Sequence, residues 1–171
     1  MYFSLITGIY DEWLQKHIRE EKIDISPDML YQAGTAVAKK VYRIVHDRNY
    51  EPGFIGGGVR GLQHFTEMVG GDVCITMNWE GHVDKLIELD LPVVSRLFNP
   101  VQDTVLDTLL EKVPGFRKAY MENGLTVDEY EHFGPVEYFR DMFISAWKNT
   151  RAAAAVRRKE LSDHPPQEKS F

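Results

Sequence analysis

Two periods govern the apolar positions of this chain, and the switches between them predict its elements. Tyr2 to Ile9 mixes aromatic and β-branched residues over a strand's length and predicts a buried strand. Thr7-Gly8 near its end permits close backbone approach. Tyr10 to Ile18 then places Trp13, Leu14, His17 and Ile18 at helical spacing, a short helix or loop before the charged Arg19-Glu20-Glu21-Lys22. Ser26-Pro27-Asp28 is a helix start: a side-chain oxygen for orphan amides, a proline where no amide is needed, and a carboxylate favoured by the dipole. That helix is predicted to run to about Asp47, with Leu30, Ala33, Val37, Val41, Ile44 and Val45 on one stripe and Lys39, Lys40, Arg43 and Arg48 on the remainder.

A glycine-rich stretch, Gly53 to Gly61, leads into a short helix over Leu62 to Val69 and an apolar strand over Asp72 to Trp79. Strands alternating with helices predict an α/β fold with about three parallel strands and right-handed crossovers. Thereafter the signals are helical. Asn99-Pro100 starts a helix through Val113, Pro114-Gly115 another ending at Asn123-Gly124, and Thr126-Val127-Asp128-Glu129 is a capping box. Gly134-Pro135 opens a final helix to about Leu161 with a seam of Phe139, Met142, Phe143, Ala146 and Trp147. The predicted divisions are a β/α segment over 1–98, a helical extension over 99–161 and a mobile tail over 162–171.

Composition narrows the classes. In 171 residues, 43% apolar and 27% charged, one core is expected and a disordered or low-complexity chain is excluded. Lys and Arg number 20 against 26 Asp and Glu, so the net charge of −6 argues against a nucleic-acid partner, whose phosphates need a basic surface. A single cysteine, Cys74, and the lack of a long apolar run point to a reduced, cytoplasmic protein with no membrane span. The first residues lack a basic leader and meet Asp11 and Glu12 early, unlike a secretory signal. The histidines fall without metal-ligand spacing, and no metal or cofactor is predicted.

Gly56-x-Gly58-x-x-Gly61 admits three readings. It fits a dinucleotide fingerprint, with Glu80 placed as the ribose acid, although few extended residues precede it. It also fits a strand-to-helix corner where small residues only permit packing. Thirdly, free amides at a helix start together with the Arg60 guanidinium would make an anion pocket suited to a sugar phosphate. In a parallel sheet this corner and Thr76-Met77-Asn78 would lie side by side at the strands' carboxyl ends.

Gly53 to Asn78, GFIGGGVRGLQHFTEMVGGDVCITMN, resembles the seventh and eighth strand region of transaldolases and fructose-6-phosphate aldolases. That family shows Gly-Ala-Ser-Phe-Arg, a helix ending in an Ala-Gly-Cys-Asp-like turn, and a strand reading Leu-Thr-Ile-Ser. Arg60 falls on the family's phosphate-binding arginine, Gly70-Gly71-Asp72 on the turn and Ile75 to Asn78 on the last strand, while Gly58 stands where the family has a serine. FSLITGIYDEW is similar to the sixth-strand segment, with Gly8 at the family's arginine position. The resemblance covers most of the chain and is most specific from Gly53 to Asn78. It implies the last part of a (β/α)8 TIM barrel carrying helices from the C-terminal end of that family.

The resemblance further implies a cytoplasmic enzyme of the pentose phosphate pathway that transfers a dihydroxyacetone unit between sugar phosphates through a lysine Schiff base. By that reading Arg60, Gly58 and Gly61 bind the substrate phosphate, and Thr76, Asn78 and His64 contact the sugar. A closed barrel needs eight strands, and the family's lysine lies on a strand absent here. Lys39, Lys40, Lys85, Lys112, Lys118, Lys148, Lys159 and Lys169 all fall on predicted helices or the tail and read as solvated surface charges. The chain is therefore expected to be catalytically incomplete and to take the remaining barrel half, or further copies of itself, as partner. The alternative is a non-catalytic α/β module that binds a sugar phosphate or a protein. His64 reads either as a proton-transfer side chain or as a packing residue, and Cys74 as a small core residue.

Overall fold

A computed structural model of the chain describes residues 1–163. Three short parallel strands, β1 (Tyr2–Leu5), β2 (Gly53–Gly56) and β3 (Val73–Ile75), pair in the order β1-β2-β3. Tyr2 faces Gly53 and Leu5 faces Gly56; Phe54 faces Val73 and Gly56 faces Ile75. Helices α1 (Thr7–Glu21), α2 (Pro27–Leu30) and α3 (Ala33–Asp47) link β1 to β2, and α4 (Gln63–Thr66) links β2 to β3. After β3 come an irregular turn (Trp79–Val83), α5 (Asp84–Leu89), α6 (Asp103–Lys112), α7 (Pro114–Tyr120), a 3-10 turn (Val127–Glu129) and α8 (Gly134–Asp163).

The α/β class and the parallel strands agree with the sequence, but β1 and β3 are shorter than predicted. The run Tyr2 to Ile9 divides at Ile6: Ile9, Tyr10, Leu14 and Ile18 are buried at helical spacing, so the helix claims the chain from Thr7. Asp72 to Trp79 is strand only at Val73–Ile75. The helix predicted from Ser26 to Asp47 is two, because the Gly34 amide does not continue the helical ladder but donates to the Asp11 carboxylate at 2.7 Å. The capping box is present, with the Glu129 carboxylate accepting from the Thr126 amide at 2.9 Å. Ser162 and Asp163 belong to α8 rather than to a tail; the rest of the tail predicted over 162–171 lies outside the described residues.

One apolar cluster joins α1, α3, α6 and α7 through Leu14, Val37, Leu109, Val113 and Phe116, so the helices after residue 99 share a core with the β/α segment. A second covers one face of the sheet: Phe3, Leu5, Phe54, Val73 and Ile75 pack against Ala38, Tyr42, Met68 and Leu97. Two-residue alternation turns Tyr2, Ser4, Ile55, Cys74 and Thr76 to the opposite face. There Tyr2, Ser4, Cys74 and Thr76 are exposed and Ile55 is half-buried. A parallel sheet ordinarily carries cover on both faces. This one is bare on the second, so Cys74 is no core residue.

Candidate functional site

The carboxyl ends of the three strands bring Ile6, the loop from Gly57 to Gly61 and Thr76 together, as the Gly57 amide donates to the Leu5 carbonyl and the Thr76 amide to the Gly56 carbonyl. Gly58 turns the loop with φ +63°, a conformation that disfavours any side chain. Its carbonyl lies so close to Gly8 that a Cβ there would collide with it. That contact explains why Gly8 occupies the position where the resemblance called for an arginine: backbone fills the space.

Arg60 projects from this loop with an exposed guanidinium, and it already has partners. Its Nε donates to Glu12 Oε2 at 2.9 Å and its Nη1 to the Gly58 carbonyl at 3.2 Å. The other Glu12 oxygen accepts from the Tyr138 hydroxyl at 2.7 Å. The Tyr138 and Arg60 hydrogen bonds, with the positive charge beside it, hold Glu12 below the usual carboxylate range. The same contact pushes the Tyr138 phenol up. The Arg60 charge is thus partly neutralised, its Nε fixed by a carboxylate and its second terminal nitrogen left to the solvent side.

His64 lies beneath the corner, buried, with both ring nitrogens engaged. Nδ1 accepts from the Arg60 amide at 3.1 Å, which places the ring hydrogen on Nε2, where it is donated to Asp11 Oδ2 at 2.6 Å. Asp11 Oδ1 takes the Gly34 amide, so the carboxylate sits at the start of α3, where the helix dipole favours an anion. Burial raises the Asp11 carboxyl, and the His64 and Gly34 contacts work against that rise. With no ring nitrogen free and almost no surface, His64 cannot meet a substrate as the sequence reading had it; it ties the Arg60 loop to α1 and α3 instead.

The amides thought to open a helix after the glycines are spent within a single turn, since the His64 amide donates to Gly61 and the Phe65 and Thr66 amides to Leu62. The longer helix at this end is α1, whose first residues pack against Gly58. The same shortness removes the dinucleotide reading, which needs a full helix behind its glycines, and Glu80 stands in the exposed turn after β3. Thr76 and Asn78 are exposed beyond β3, on the bare side of the sheet for Thr76 and at the entry to the turn for Asn78. Gly61 is crowded by Gln63 and Tyr31 and accepts from His64, a packing role.

Lys39 corrects the reading of it as a surface charge. Its ammonium is buried and donates to Glu67 Oε2 at 2.6 Å, the Arg96 carbonyl at 3.0 Å and the Asn99 carbonyl at 3.3 Å. With its donors filled in this way it is a structural tie between α3, α4 and the chain after α5. None of the strands among the described residues carries a lysine. Beside the free edge of β1 lies an apolar cleft of about 510 Å³, lined by Leu5, Val37, Tyr120 and Phe139 among others. A second, of about 550 Å³, lies beside β3.

Sequence reasoning missed Asp11, Glu12 and Tyr138. The one local signal was Gly34, a helix-weakening residue inside an apolar stripe, which is there because a Cβ would stand 2.6 Å from the Asp11 carboxylate. No helix among the described residues is long and apolar enough to cross a membrane, and no group of three or more His, Cys, Asp or Glu residues among them could hold a metal ion. No protein family, curated protein or solved structure matches the chain.

Proposed function

We propose that this chain is the phosphate-binding portion of a transaldolase-like class I aldolase, completed by strands it does not contain. The observation that carries the reading is the arginine at the carboxyl edge of three successive parallel strands whose apolar cover lies on one face only. In a closed β/α barrel the uncovered face would be the inner wall, and ligands gather at the carboxyl ends of the strands. Ser4, Cys74 and Thr76 would then line that wall, and Arg60 would stand at its mouth.

In the proposed reaction a lysine amine of the companion strands adds to the ketose carbonyl and loses water to form an imine. A base on the companion strands would take the proton of the β-hydroxyl as the bond between the α and β carbons breaks, releasing an aldose and leaving an enamine. The enamine would attack the carbonyl carbon of an acceptor aldose phosphate, which regains the proton on its oxygen, and water would hydrolyse the new imine to free the ketose product and the lysine. The residues of this chain bind and orient. Arg60 would hold the phosphate with its second terminal nitrogen, Nη2, while Glu12 would fix the guanidinium through Nε and the Gly58 carbonyl through Nη1, and Thr76 and Asn78 would meet sugar hydroxyls.

A second reading, a non-catalytic α/β module that binds a sugar phosphate or a protein, is favoured by two facts: none of the strands among the described residues carries a lysine, and the Glu12 carboxylate already accepts from Arg60 Nε. Titration with inorganic phosphate and fructose 6-phosphate, followed by borohydride reduction and intact-mass measurement, tests both. The aldolase portion binds both ligands, loses about tenfold or more in affinity in Arg60→Ala, and gains no mass on reduction. Equal binding by wild type and Arg60→Ala at millimolar ligand would remove the phosphate site. A stoichiometric adduct would place the nucleophile in this chain and overturn the division of labour.

A further inference from the structure

The second half of α8 carries a basic, apolar side, and the segment from Glu80 to Asp90 beside the β3 cleft is acidic. From Phe143 to Asp163 every residue is exposed, a rod of about 31 Å at 1.5 Å per residue. Phe143, Trp147, Ala154 and Leu161 recur at spacings of four and seven and share one side, flanked by Arg151, Arg157 and Arg158. Phe143, edge-on against Phe139 at 4.8 Å, and Trp147 are 63% and 64% exposed, a large open apolar area. Lys148, Arg151, Arg157, Arg158 and Lys159 against Glu160 and Asp163 give this half a charge of +3, in a chain whose total is −6. The rest of the molecule is therefore strongly acidic.

The cleft beside β3 has the opposite character. It is lined by Val69, Val73, Leu86, Ile87 and Val93, with Ile87 65% and Val93 91% exposed, and its charged lining residue, Arg96, is paired with Glu67 at 3.5 Å. The segment that forms its outer wall carries Glu80, Asp84, Glu88 and Asp90 against Lys85, a charge of −3. An apolar groove bordered by an acidic segment suits a basic amphipathic helix by sign.

We propose that the protruding half of α8 docks into the β3 cleft of a second copy of this chain. A basic amphipathic helix could also lie on an anionic membrane, but the acidic body attached to this one would be repelled there, whereas it supplies the attraction in self-association. Two +3 helices repel each other, so the contact is helix to groove rather than helix to helix. It is heterologous, and closes only as a reciprocal pair or a ring. The inference rests on the surfaces described and stands whether or not Arg60 binds phosphate.

Sedimentation velocity from 1 to 300 µM tests it, with Trp147→Glu on the helix and Ile87→Lys in the groove, both at exposed positions that leave the core intact. The wild type should self-associate reversibly and loosen by about tenfold between 0.05 and 0.5 M salt, as screening weakens the charge pairing. Each variant alone should weaken association at least tenfold, whereas a mixture of the two, one with an intact groove and the other with an intact helix, should form a 1:1 dimer that grows no further. A wild type monomeric at 300 µM would overturn the proposal. So would variants that associate like wild type, a mixture that does not pair, or a monomer captured through Trp147 by phosphatidylserine vesicles.

Discussion

His64 and Asp11 face each other at 2.6 Å in a contact almost sealed from solvent, and between them they set the position of the Arg60 loop. The carboxylate takes one hydrogen from His64 and one from the Gly34 amide, while His64 takes the Arg60 amide on its other nitrogen. Four elements are tied through two side chains. Replacing Asp11 by Asn keeps an acceptor for Gly34 but turns an amide donor toward the Nε2 hydrogen, and His64 cannot change tautomer without losing Arg60. Asp11→Asn should therefore lose about 1–3 kcal/mol, the cost of leaving buried donors unpaired. Urea unfolding at pH 7 checks it, and a midpoint equal to wild type would show the pair to be idle.

Adjacent carboxylates respond to pH in opposite senses. The Asp11 carboxyl is raised in the folded protein, so the folded state holds that proton more tightly and stability falls as pH rises from about 3.8 through its folded value. Glu12 is lowered from 4.5; its contribution is complete above 4.5 and is lost as pH falls through the folded value. The stability gap between wild type and Glu12→Gln should be open at pH 5.5 and close toward pH 3. The gap between wild type and Asp11→Asn should narrow as pH rises through its interval. Urea midpoints at half-unit pH steps read both, and gaps of the same slope for the two variants would contradict the opposed shifts.

Lys39 and Glu67 make an asymmetric pair, the ammonium side chain 5% exposed and the carboxylate 30%. Glu67→Ala leaves a buried cation with only carbonyl partners, while Lys39→Met leaves a carboxylate that can still reach water and Arg96. The first should cost about 3 kcal/mol or more, the second less. A double variant carrying both changes should be more stable than Glu67→Ala alone. Thermal and urea unfolding of the three would show it, and equal losses for the two single variants would place the pair in solvent.

The sequence disclosed the elements whose signal is local. Pro27 after Ser26, the box from Thr126 to Glu129 and Gly134-Pro135 at the head of α8 each mark a start that the structure keeps. Boundaries set by distant partners were hidden. Nothing near Leu30 tells that the Gly34 amide leaves the helix for Asp11, twenty-three residues away. The burial of Lys39 was hidden for the same reason: its partners at 67, 96 and 99 come from elsewhere in the chain. At the corner, Arg60 was legible as a cation beside glycines, but Glu12 and Tyr138 reach it only through the packing of α8 on α1. The alternation of Cys74, Thr76 and Asn78 was legible as well, yet alternation says which residues share a face and not whether anything covers it.

Two glycines separate a packing requirement from a backbone one. Gly8 sits in the first turn of α1, where alanine would favour the helix by about 1 kcal/mol. Its Cβ, however, would enter the Gly58 carbonyl, which is backbone and held by the pairing of β1 with β2. Gly81 has φ +83° and open space around it, so alanine there meets strain but no neighbour. Gly81→Ala should cost roughly 1–2 kcal/mol and leave the sheet unchanged. Gly8→Ala should cost about 3 kcal/mol or more despite the better helix former, and it should shift the backbone amide resonances of Gly58 to Arg60 in a nitrogen–proton NMR spectrum. A mild Gly8→Ala with an undisturbed Arg60 amide would mean that α1 and the glycine loop are not in contact, and the corner that positions the guanidinium would have to be built otherwise.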